Sequence, residues 1–418
     1  MLKEDNVRLT ISRIMFLLYT MVYIAIAILP VLSYSVPYVV AGSICLLYAL
    51  FVFFKYKKYR LMIIFLVLLG AVTGIVMYLN GNKVYIIINE PIRVLRCIIP
   101  CFILSDLLKS GKKFKIFLWL FISAILLYIA LNTLAELAQN DMIARLLANG
   151  EESDELMQYR MNNVAGFEFS YAIGLTFPAW VILFIRAKSV FFKVVSLIFA
   201  AFIAYYVISA QYMILFLLCV ISLLIIVAVA PKRLYVKIFN IILVIVVLML
   251  ASVVLRWLAT FNIGDITQRR LLLMADMFDG KITANEISSR FELYKNALNA
   301  FFESPIIGQS HSQAAAESHS WLLSVAVSAG VLGVGCVIAE LVLYFKYFSK
   351  IYIKNGYILQ IRNFSFALFI VLAVLNPIQY AYEIFILMFL FVPLTIDLFC
   401  NNTGKKYEVG KKNGKISV

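Results

Sequence analysis

The chain has 418 residues, of which 64% are hydrophobic and 14% charged, and its formal net charge is +15. This composition excludes an ordinary soluble domain, in which about half of the residues are apolar and about a quarter are charged. It predicts one polytopic membrane domain that spans residues 1–418. No basic stripe interleaved with aromatic side chains stands on a soluble segment, so we expect no nucleic acid partner.

Twelve apolar runs recur along the chain, each of roughly 17 to 25 residues and therefore able to cross about 30 Å of hydrocarbon as a helix. They lie near residues 14–33, 38–54, 61–80, 88–108, 116–137, 167–186, 190–208, 212–230, 238–258, 321–345, 364–380 and 383–400. The first run is too long for the apolar core of a cleaved signal peptide, which predicts a retained helix. The predicted fold is all-α: a polytopic integral membrane protein with about 12 transmembrane helices.

Lysine and arginine cluster between alternate runs. The clusters include Lys55, Lys57, Lys58 and Arg60; Lys109, Lys112, Lys113 and Lys115; and Lys346, Lys350, Lys354 and Arg362. Because short basic loops stay in the cytoplasm, both termini are predicted to be cytoplasmic, in the cytoplasmic (inner) membrane of the cell. That orientation makes 138–166 an extracytoplasmic loop and 259–320 a large extracytoplasmic loop before helix 10, and it leaves the basic tail 401–418 inside.

The segments predicted to face the cytoplasm are too short for a nucleotide-binding domain, and the sequence has no GxxxxGK[ST] motif. The cluster Gly330, Gly333 and Gly335 lies in an apolar run, which favours close helix packing over a phosphate-binding loop. Cys97 and Cys101 lack a His or carboxylate at ligand spacing and are predicted to be small buried residues. We expect no metal and no cofactor, and a substrate that is lipid-borne or arrives from outside.

The loop 259–320 contains both histidines of the protein, His311 and His319. Ser289 and Glu292 have the spacing of a capping box, which predicts a helix that begins at Arg290 and is ended by the proline at 305. An apolar stripe follows at helical spacing, so this helix is predicted to lie on the membrane surface.

Arg290 and His319 carry the chemistry predicted for this loop. At the first helical position, Arg290 would lie beside free backbone N–H groups and the positive end of the helix dipole, which together suit a phosphate. His319 directly precedes an apolar run and can accept a proton near neutral pH. An exposed arginine that only solvates the loop and a hydrogen-bonded interfacial histidine remain equal alternatives. His311, in QSHSQAAAE, is more typical of a solvated loop.

The run at 88–108 carries Glu90, Arg93 and Arg96 at intervals of three residues, so they share about a third of the helix circumference. Charges within a span normally face each other or a polar cavity. Two arginines with one local carboxylate leave a positive surplus, which favours an anion-binding cavity over a purely structural ion pair. Glu340 and Asp397 are predicted to lie nearer the cytoplasm, away from this group.

Three segments resemble those of one enzyme superfamily. SSRFELYKNALNAFFESPIIGQ resembles an arginine-led helix followed by a Pro-hydrophobic-Gly turn, SHSWLLSVAVSAGVLGV a His-x-x-x-Leu segment before a span with a Gly-x-x-Gly step, and YRMNNVAGF an arginine-plus-asparagine segment before the middle span. With the twelve-span layout, they are similar to the O-antigen and capsular polysaccharide polymerases (the Wzy type) and the related O-antigen ligases.

The resemblance implies an enzyme, a metal-independent glycosyltransferase that polymerises undecaprenyl-pyrophosphate-linked oligosaccharide repeat units into an O-antigen or capsule at the outer membrane face. Pyrophosphate would be bound by Arg160 and Arg290, and His319 would orient or deprotonate the acceptor hydroxyl. The full set implied is catalytic His319, Arg290 and Arg160, with Arg93, Arg96, Glu317 and His311 in substrate binding. The partners implied are membrane lipid, a flippase and chain-length regulator proteins.

Two other functions stay open. An O-antigen ligase would differ only in its acceptor, a lipid-anchored glycan. A lipid-linked sugar flippase or secondary transporter also has about twelve spans, but transporters usually show matching halves, and the charges of the fourth span have no counterpart in the tenth.

Overall fold

Helices make up all the regular structure in the described part of the chain. The computed structural model describes residues 2–140, 143, 146–147, 153–187, 189–210, 212–229, 234–261, 268–269, 271–272, 275–276, 279, 284–309, 320–351, 356–376, 378 and 381–400. The protein is therefore all-α, as predicted.

The helices follow one another with short connections over most of the chain. They are α1 (Leu2–Ile28), α2 (Pro30–Ser35), α3 (Tyr38–Lys55), α4 (Lys57–Leu79), α5 (Ile86–Leu107), α6 (Lys112–Gln139), α7 (Asp154–Met161), α8 (Phe167–Arg186), α9 (Val190–Ser209), α10 (Met213–Val229), α11 (Leu234–Met249), α12 (Ala251–Leu258), α13 (Ala284–Glu303), α14 (Trp321–Ile351), α15 (Gly356–Leu375) and α16 (Tyr382–Ile386). A π-helical turn (Leu387–Phe391) then leads into α17 (Val392–Cys400).

Long apolar helices indicate a membrane protein. Within the described residues, five helices are long and apolar enough to cross a membrane, namely α4, α6, α8, α9 and α14. Large side chains such as Leu47, Phe54 and Val190 are exposed on the outside of the bundle, where lipid accommodates them better than water. Each of the twelve predicted runs overlaps a helix. The number of helices that span, the membrane and the orientation stay predictions.

One end of the bundle is basic. Asp106, at the end of α5, lies 3.9 Å from the Lys55 ammonium and 3.8 Å from that of Lys109. Nearby, Lys115 at the start of α6 forms a 2.7 Å ion pair with Asp397 of α17. We call this the basic end. The opposite end carries residues 80–85 between α4 and α5, α7, and the start of α8.

Two helices form the centre of the bundle. One is α8, in which 83% of an apolar stretch of 18 residues is buried. This helix packs against α9, α10, α15 and α16. In α5, which packs against α3, α4 and α14, Cys97 and Cys101 are fully buried, as predicted. The short helix α16 contacts both α5 and α8. It is therefore the element that connects the two central helices.

Prolines inside the central helices connect them to their neighbours. Pro100 has no N–H group for the carbonyl of Arg96, one turn earlier, and that carbonyl accepts a 2.9 Å hydrogen bond from the Tyr23 hydroxyl of α1. Pro178 likewise leaves the carbonyl of Gly174 to the thiol of Cys219, at 3.7 Å. The freed carbonyls thus become contacts between helices.

The glycines predicted to allow close helix packing have a different role. Gly330 has φ of 61° and bends α14, and a Cβ there would lie 2.3 Å from the carbonyl oxygen of Ile306, in the connection after α13. Gly335 has nothing within 4 Å. Close packing between helices occurs instead at Gly70 and Gly74 of α4, where a Cβ would lie 2.8 Å from α5 backbone atoms.

Candidate functional site

The structure describes the side chains of Arg93, Arg96 and Arg160 among the predicted site residues. His311, Glu317 and His319 lie outside the described residues. Of Arg290, the position in a helix is described and the side chain is not. The site can therefore be built from the three arginines and the residues around them.

The predicted helix start at Arg290 is wrong. Helix α13 begins at Ala284, six residues earlier, and ends at Glu303, just before Pro305 as predicted. The backbone N–H of Arg290 is therefore bonded within the helix, because only the first turn of a helix leaves its N–H groups free. Ala284 and Glu286 are good helix formers, which explains the earlier start. The helix-terminal anion site expected at Arg290 is not formed.

Arg93 is part of an ion pair within α5. Its Nη1 donates to Oε1 of Glu90 at 2.7 Å, and the Glu90 side chain is 1% exposed against 34% for Arg93. This is the structural ion pair that was weighed against an anion cavity. Arg93 therefore already neutralises a buried carboxylate.

Arg96 lies deeper and is oriented by an aromatic ring. It is buried, and its guanidinium carbon lies 3.5 Å from the centroid of the Tyr382 ring, at the start of α16. A cation over an aromatic face gains about 0.5–2 kcal/mol, the larger values applying when both groups are desolvated. The Arg96 carbonyl also accepts the hydrogen bond from the Tyr23 hydroxyl. Both the backbone and the side chain of Arg96 are therefore held in place.

Two glutamates that the sequence analysis did not single out lie beside the arginines. Glu383 follows Tyr382 and interacts electrostatically with Glu168 and with Arg96. Glu168, in the first turn of α8, interacts in turn with Arg160. Both carboxylates are half-buried. Placing a carboxylate at the start of an apolar run costs free energy. The positions of Glu168 and Glu383 in such runs could therefore have identified them from the sequence.

Arg160 is positioned by the segment YRMNNVAGF. It lies in the last turn of α7, with its guanidinium carbon 5.5 Å from the Tyr34 ring centroid. Asn163 adopts φ of 58°, and its Oδ1 accepts a 3.2 Å hydrogen bond from the N–H of Val31. The N–H of Ala165 donates to Thr133 Oγ1 at 2.9 Å. These bonds fix the end of α7 and the residues after it to α2 and to α6.

Arg96, Arg160, Glu168, Tyr382 and Glu383 thus come together from four helices, and we call them the Arg96 cluster. The predicted positive surplus counted the charges of the fourth run alone. In the structure Glu90 pairs with Arg93, and Glu168 and Glu383 lie beside Arg160 and Arg96. The two added carboxylates belong to α8 and α16, which local spacing in the fourth run cannot reveal.

Described residues that follow α15 contact the start of α8 beside this cluster. Asn376, Ile378 and Ala381 are buried, and Asn376 Oδ1 accepts a 2.8 Å hydrogen bond from the Tyr171 hydroxyl, one turn after Glu168. The Asn376 carbonyl accepts from the N–H of Trp321 at 3.0 Å. Asn376 therefore connects α8 to the start of α14.

One further prediction changes with the structure. Glu340, expected away from the charges of α5, interacts electrostatically with Glu90, and the neighbouring Tyr344 hydroxyl donates to the Val94 carbonyl at 2.8 Å. The reason is that α14 packs along both α4 and α5. Arg256 of α12 pairs with Asp276 at 2.6 Å and Asp279 at 2.8 Å.

The Arg96 cluster combines two kinds of chemistry. Guanidinium groups bind phosphate oxygens through paired, charge-assisted hydrogen bonds. Carboxylates accept a proton from a hydroxyl group. Because its outer members are half-buried and Arg96 is buried, the cluster runs from the opposite end of the bundle inward.

No family model, curated protein or solved structure matches the chain. The function is therefore inferred from the chemistry of the Arg96 cluster and from the resemblance in sequence.

Proposed function

We propose that the protein is a glycosyltransferase that polymerises undecaprenyl-pyrophosphate-linked oligosaccharide repeat units into a surface polysaccharide at the outer face of the cytoplasmic membrane. The Arg96 cluster carries this proposal, because it places two arginines and two carboxylates at one end of a bundle of apolar helices. A substrate with a prenyl tail in the lipid and a charged head at that end suits this arrangement.

The arginines bind the pyrophosphate of the donor. Arg160 lies at the rim and Arg96 deeper, so an anion can contact both in turn. Arg96 is held by Tyr382 and Tyr23 before any substrate arrives, and such preorganised groups stabilise developing charge without rearranging. Arg93 retains Glu90 as its partner and acts at a distance.

The acceptor sugar needs a group that takes its hydroxyl proton. The bond between the donor sugar and pyrophosphate breaks, the new glycosidic bond forms at the same carbon, and pyrophosphate leaves with the electron pair. His319 was predicted to accept the proton, and Glu383 and Glu168 now join it. Glu383 interacts with Arg96 and Glu168 with Arg160, so in its ionised form either carboxylate can accept the proton while the guanidinium groups bind phosphate.

A transporter is the second candidate, and one observation favours it. Glu90, Glu168, Glu340 and Glu383 lie inside the helix bundle, where carboxylates often serve proton or ion pathways. A transporter would move the lipid-linked glycan and form no new glycosidic bond. A ligase would form that bond only with a lipid-anchored glycan acceptor.

Two assays, of product formation in nanodiscs and of lipid movement in liposomes, separate the three functions. The full-length protein in lipid nanodiscs receives lipid-pyrophosphate-linked repeat units from its native membranes, and products are separated by length. A ladder of longer lipid-linked glycans that disappears in Arg96→Ala supports the polymerase. Product formed only with an added lipid-anchored glycan indicates the ligase. Movement across liposomes without any new bond contradicts both enzymes.

A further inference from the structure

Glu90 of α5 and Glu340 of α14 are buried carboxylates that interact where these two helices pack together. The Glu90 residue is 0% exposed and Glu340 is 1% exposed, and the two interact electrostatically. Within the described residues, Oε2 of Glu90 and Oε1 of Glu340 have neither a hydrogen-bond partner nor contact with solvent. Two acceptor atoms are therefore buried without a donor.

The charged groups around this pair do not neutralise it, and one excess negative charge remains. Arg93 pairs with Glu90, and this is the one ion pair of either carboxylate among the described residues. The other titratable groups that face Glu340 are Cys97, Cys336 and Tyr344, all neutral near neutral pH. With both glutamates ionised, the group Glu90, Arg93 and Glu340 would have a charge of −1 in an apolar interior.

Binding of a single proton would resolve both the excess negative charge and the lack of a hydrogen-bond donor. It neutralises the extra charge, which burial strongly disfavours, and it turns one of the two carboxylates into a hydrogen-bond donor. A metal ion fits less well, because cations such as Na⁺ or Ca²⁺ need several oxygen ligands. Hydroxyl groups do not supply the missing donor, because Thr73 donates to the Leu69 carbonyl at 3.1 Å and Tyr344 to the Val94 carbonyl at 2.8 Å.

We propose that Glu90 and Glu340 form a proton-binding site inside the helix bundle, with Glu340 as the residue that carries the proton. The carboxylate of Glu340 takes up one proton and becomes a neutral acid, and no other bond changes. Glu90 keeps its 2.7 Å ion pair with Arg93, so the group has no net charge. This site is separate from the Arg96 cluster and holds whichever of the three functions is correct.

Infrared spectroscopy tests the proposal on the purified full-length protein in lipid at neutral pH. A protonated carboxyl has its own C=O stretching band, which shifts when water is exchanged for D₂O. We expect this band in the wild type and its loss in Glu340→Gln. The matched control is Glu155→Gln, since Glu155 is exposed on α7, and it should leave the band unchanged.

Three results would overturn the proposal. The band is absent from the wild type, it persists in full in Glu340→Gln, or it disappears when Na⁺ replaces choline at constant pH, which would indicate a metal-ion site. If Glu340→Gln does not yield monodisperse protein, Glu340→Asp replaces it. The band should then move in frequency, because the two acids absorb differently, and an unmoved band counts against Glu340.

Discussion

Gly308 packs against the backbone of Gly330. Both have positive φ, 76° and 61°, and a Cβ on Gly308 would lie 2.7 Å from the backbone nitrogen of Gly330. The N–H of Val331 donates to the Pro305 carbonyl at 2.8 Å, and the Asn80 amide donates to the carbonyls of Ile307 and Ser328. The turn after α13 is thereby fixed to the bend in α14 and to the end of α4.

Gly330→Ala should destabilise the protein. A side chain at φ of 61° is strained, by about 1–3 kcal/mol, and its Cβ would clash with Ile306. Gly335→Ala is the matched control, because nothing lies within 4 Å of that position and alanine favours a helix by up to about 1 kcal/mol. Thermal unfolding in detergent should show a lower midpoint for Gly330→Ala alone. Equal midpoints would mean that the bend can straighten.

Arg96→Ala and Arg160→Ala should each lower polymer formation by about two to three orders of magnitude, as expected when a preorganised charge-stabilising donor is lost. Arg160→Lys should also be impaired, because lysine lacks the paired donors of the guanidinium group. Arg256→Ala is the control, since Arg256 pairs with Asp276 and Asp279 instead. Rates are compared at equal amounts of protein in the membrane. An unimpaired Arg160→Ala would remove that arginine from the site.

Glu383→Gln and Glu168→Gln separate a proton acceptor from a purely structural carboxylate. Loss of a general base lowers turnover by about two to four orders of magnitude. We expect one of the two variants to show this loss in kcat with little change in KM, and the other a smaller effect. Glu155→Gln should be silent, as an exposed carboxylate of α7. If kcat is unchanged in both cluster variants, His319 is again the candidate that accepts the hydroxyl proton.

His319→Ala and His311→Ala test the base predicted from sequence. If His319 accepts the hydroxyl proton, its alanine variant should lose roughly two to four orders of magnitude in turnover, while binding of the lipid-linked donor survives. His311→Ala should be nearly silent. Normal polymerisation by His319→Ala would leave the glutamates of the Arg96 cluster as the proton acceptors, with Glu317 as the remaining sequence candidate.

Reporter fusions test the orientation. Fusions after Asn82, Asn149 and Asn285 should be extracytoplasmic, and fusions after Lys58, Lys113, Lys232 and Lys405 cytoplasmic, because short basic loops are retained inside. The Arg96 cluster lies at the same end of the bundle as residues 80–85. A cytoplasmic signal after Asn82 would therefore contradict a site that faces the outside.

The sequence predicts the helices better than it predicts the site. Long apolar runs and clustered charges are local properties, so the helical class and the end of α13 before Pro305 follow directly from them. The start of α13 did not, because Ser289 and Glu292 satisfy a capping pattern without being at a helix terminus. A capping pattern shows that a residue can begin a helix, and here the helix already extends through it from Ala284.

The composition of the Arg96 cluster depends on contacts between distant parts of the chain. Arg96 and Glu90 are close in sequence, and their proximity was predicted. Glu168 and Glu383 reach Arg160 and Arg96 only because α16 packs between α5 and α8. Counting carboxylates along one helix therefore omits those that other helices supply.

The burial of α8 has a consequence for how the protein is made. This helix is in the middle of the chain, yet it contacts α15, α16 and α17, which are synthesised last. Its polar groups remain without those partners until then, Tyr171 among them, whose hydrogen-bond partner Asn376 follows α15. Contacts between distant segments form slowly. Assembly of the Arg96 cluster must therefore be one of the last events in biogenesis, so a chain truncated before α16 would insert its earlier helices and still lack the site.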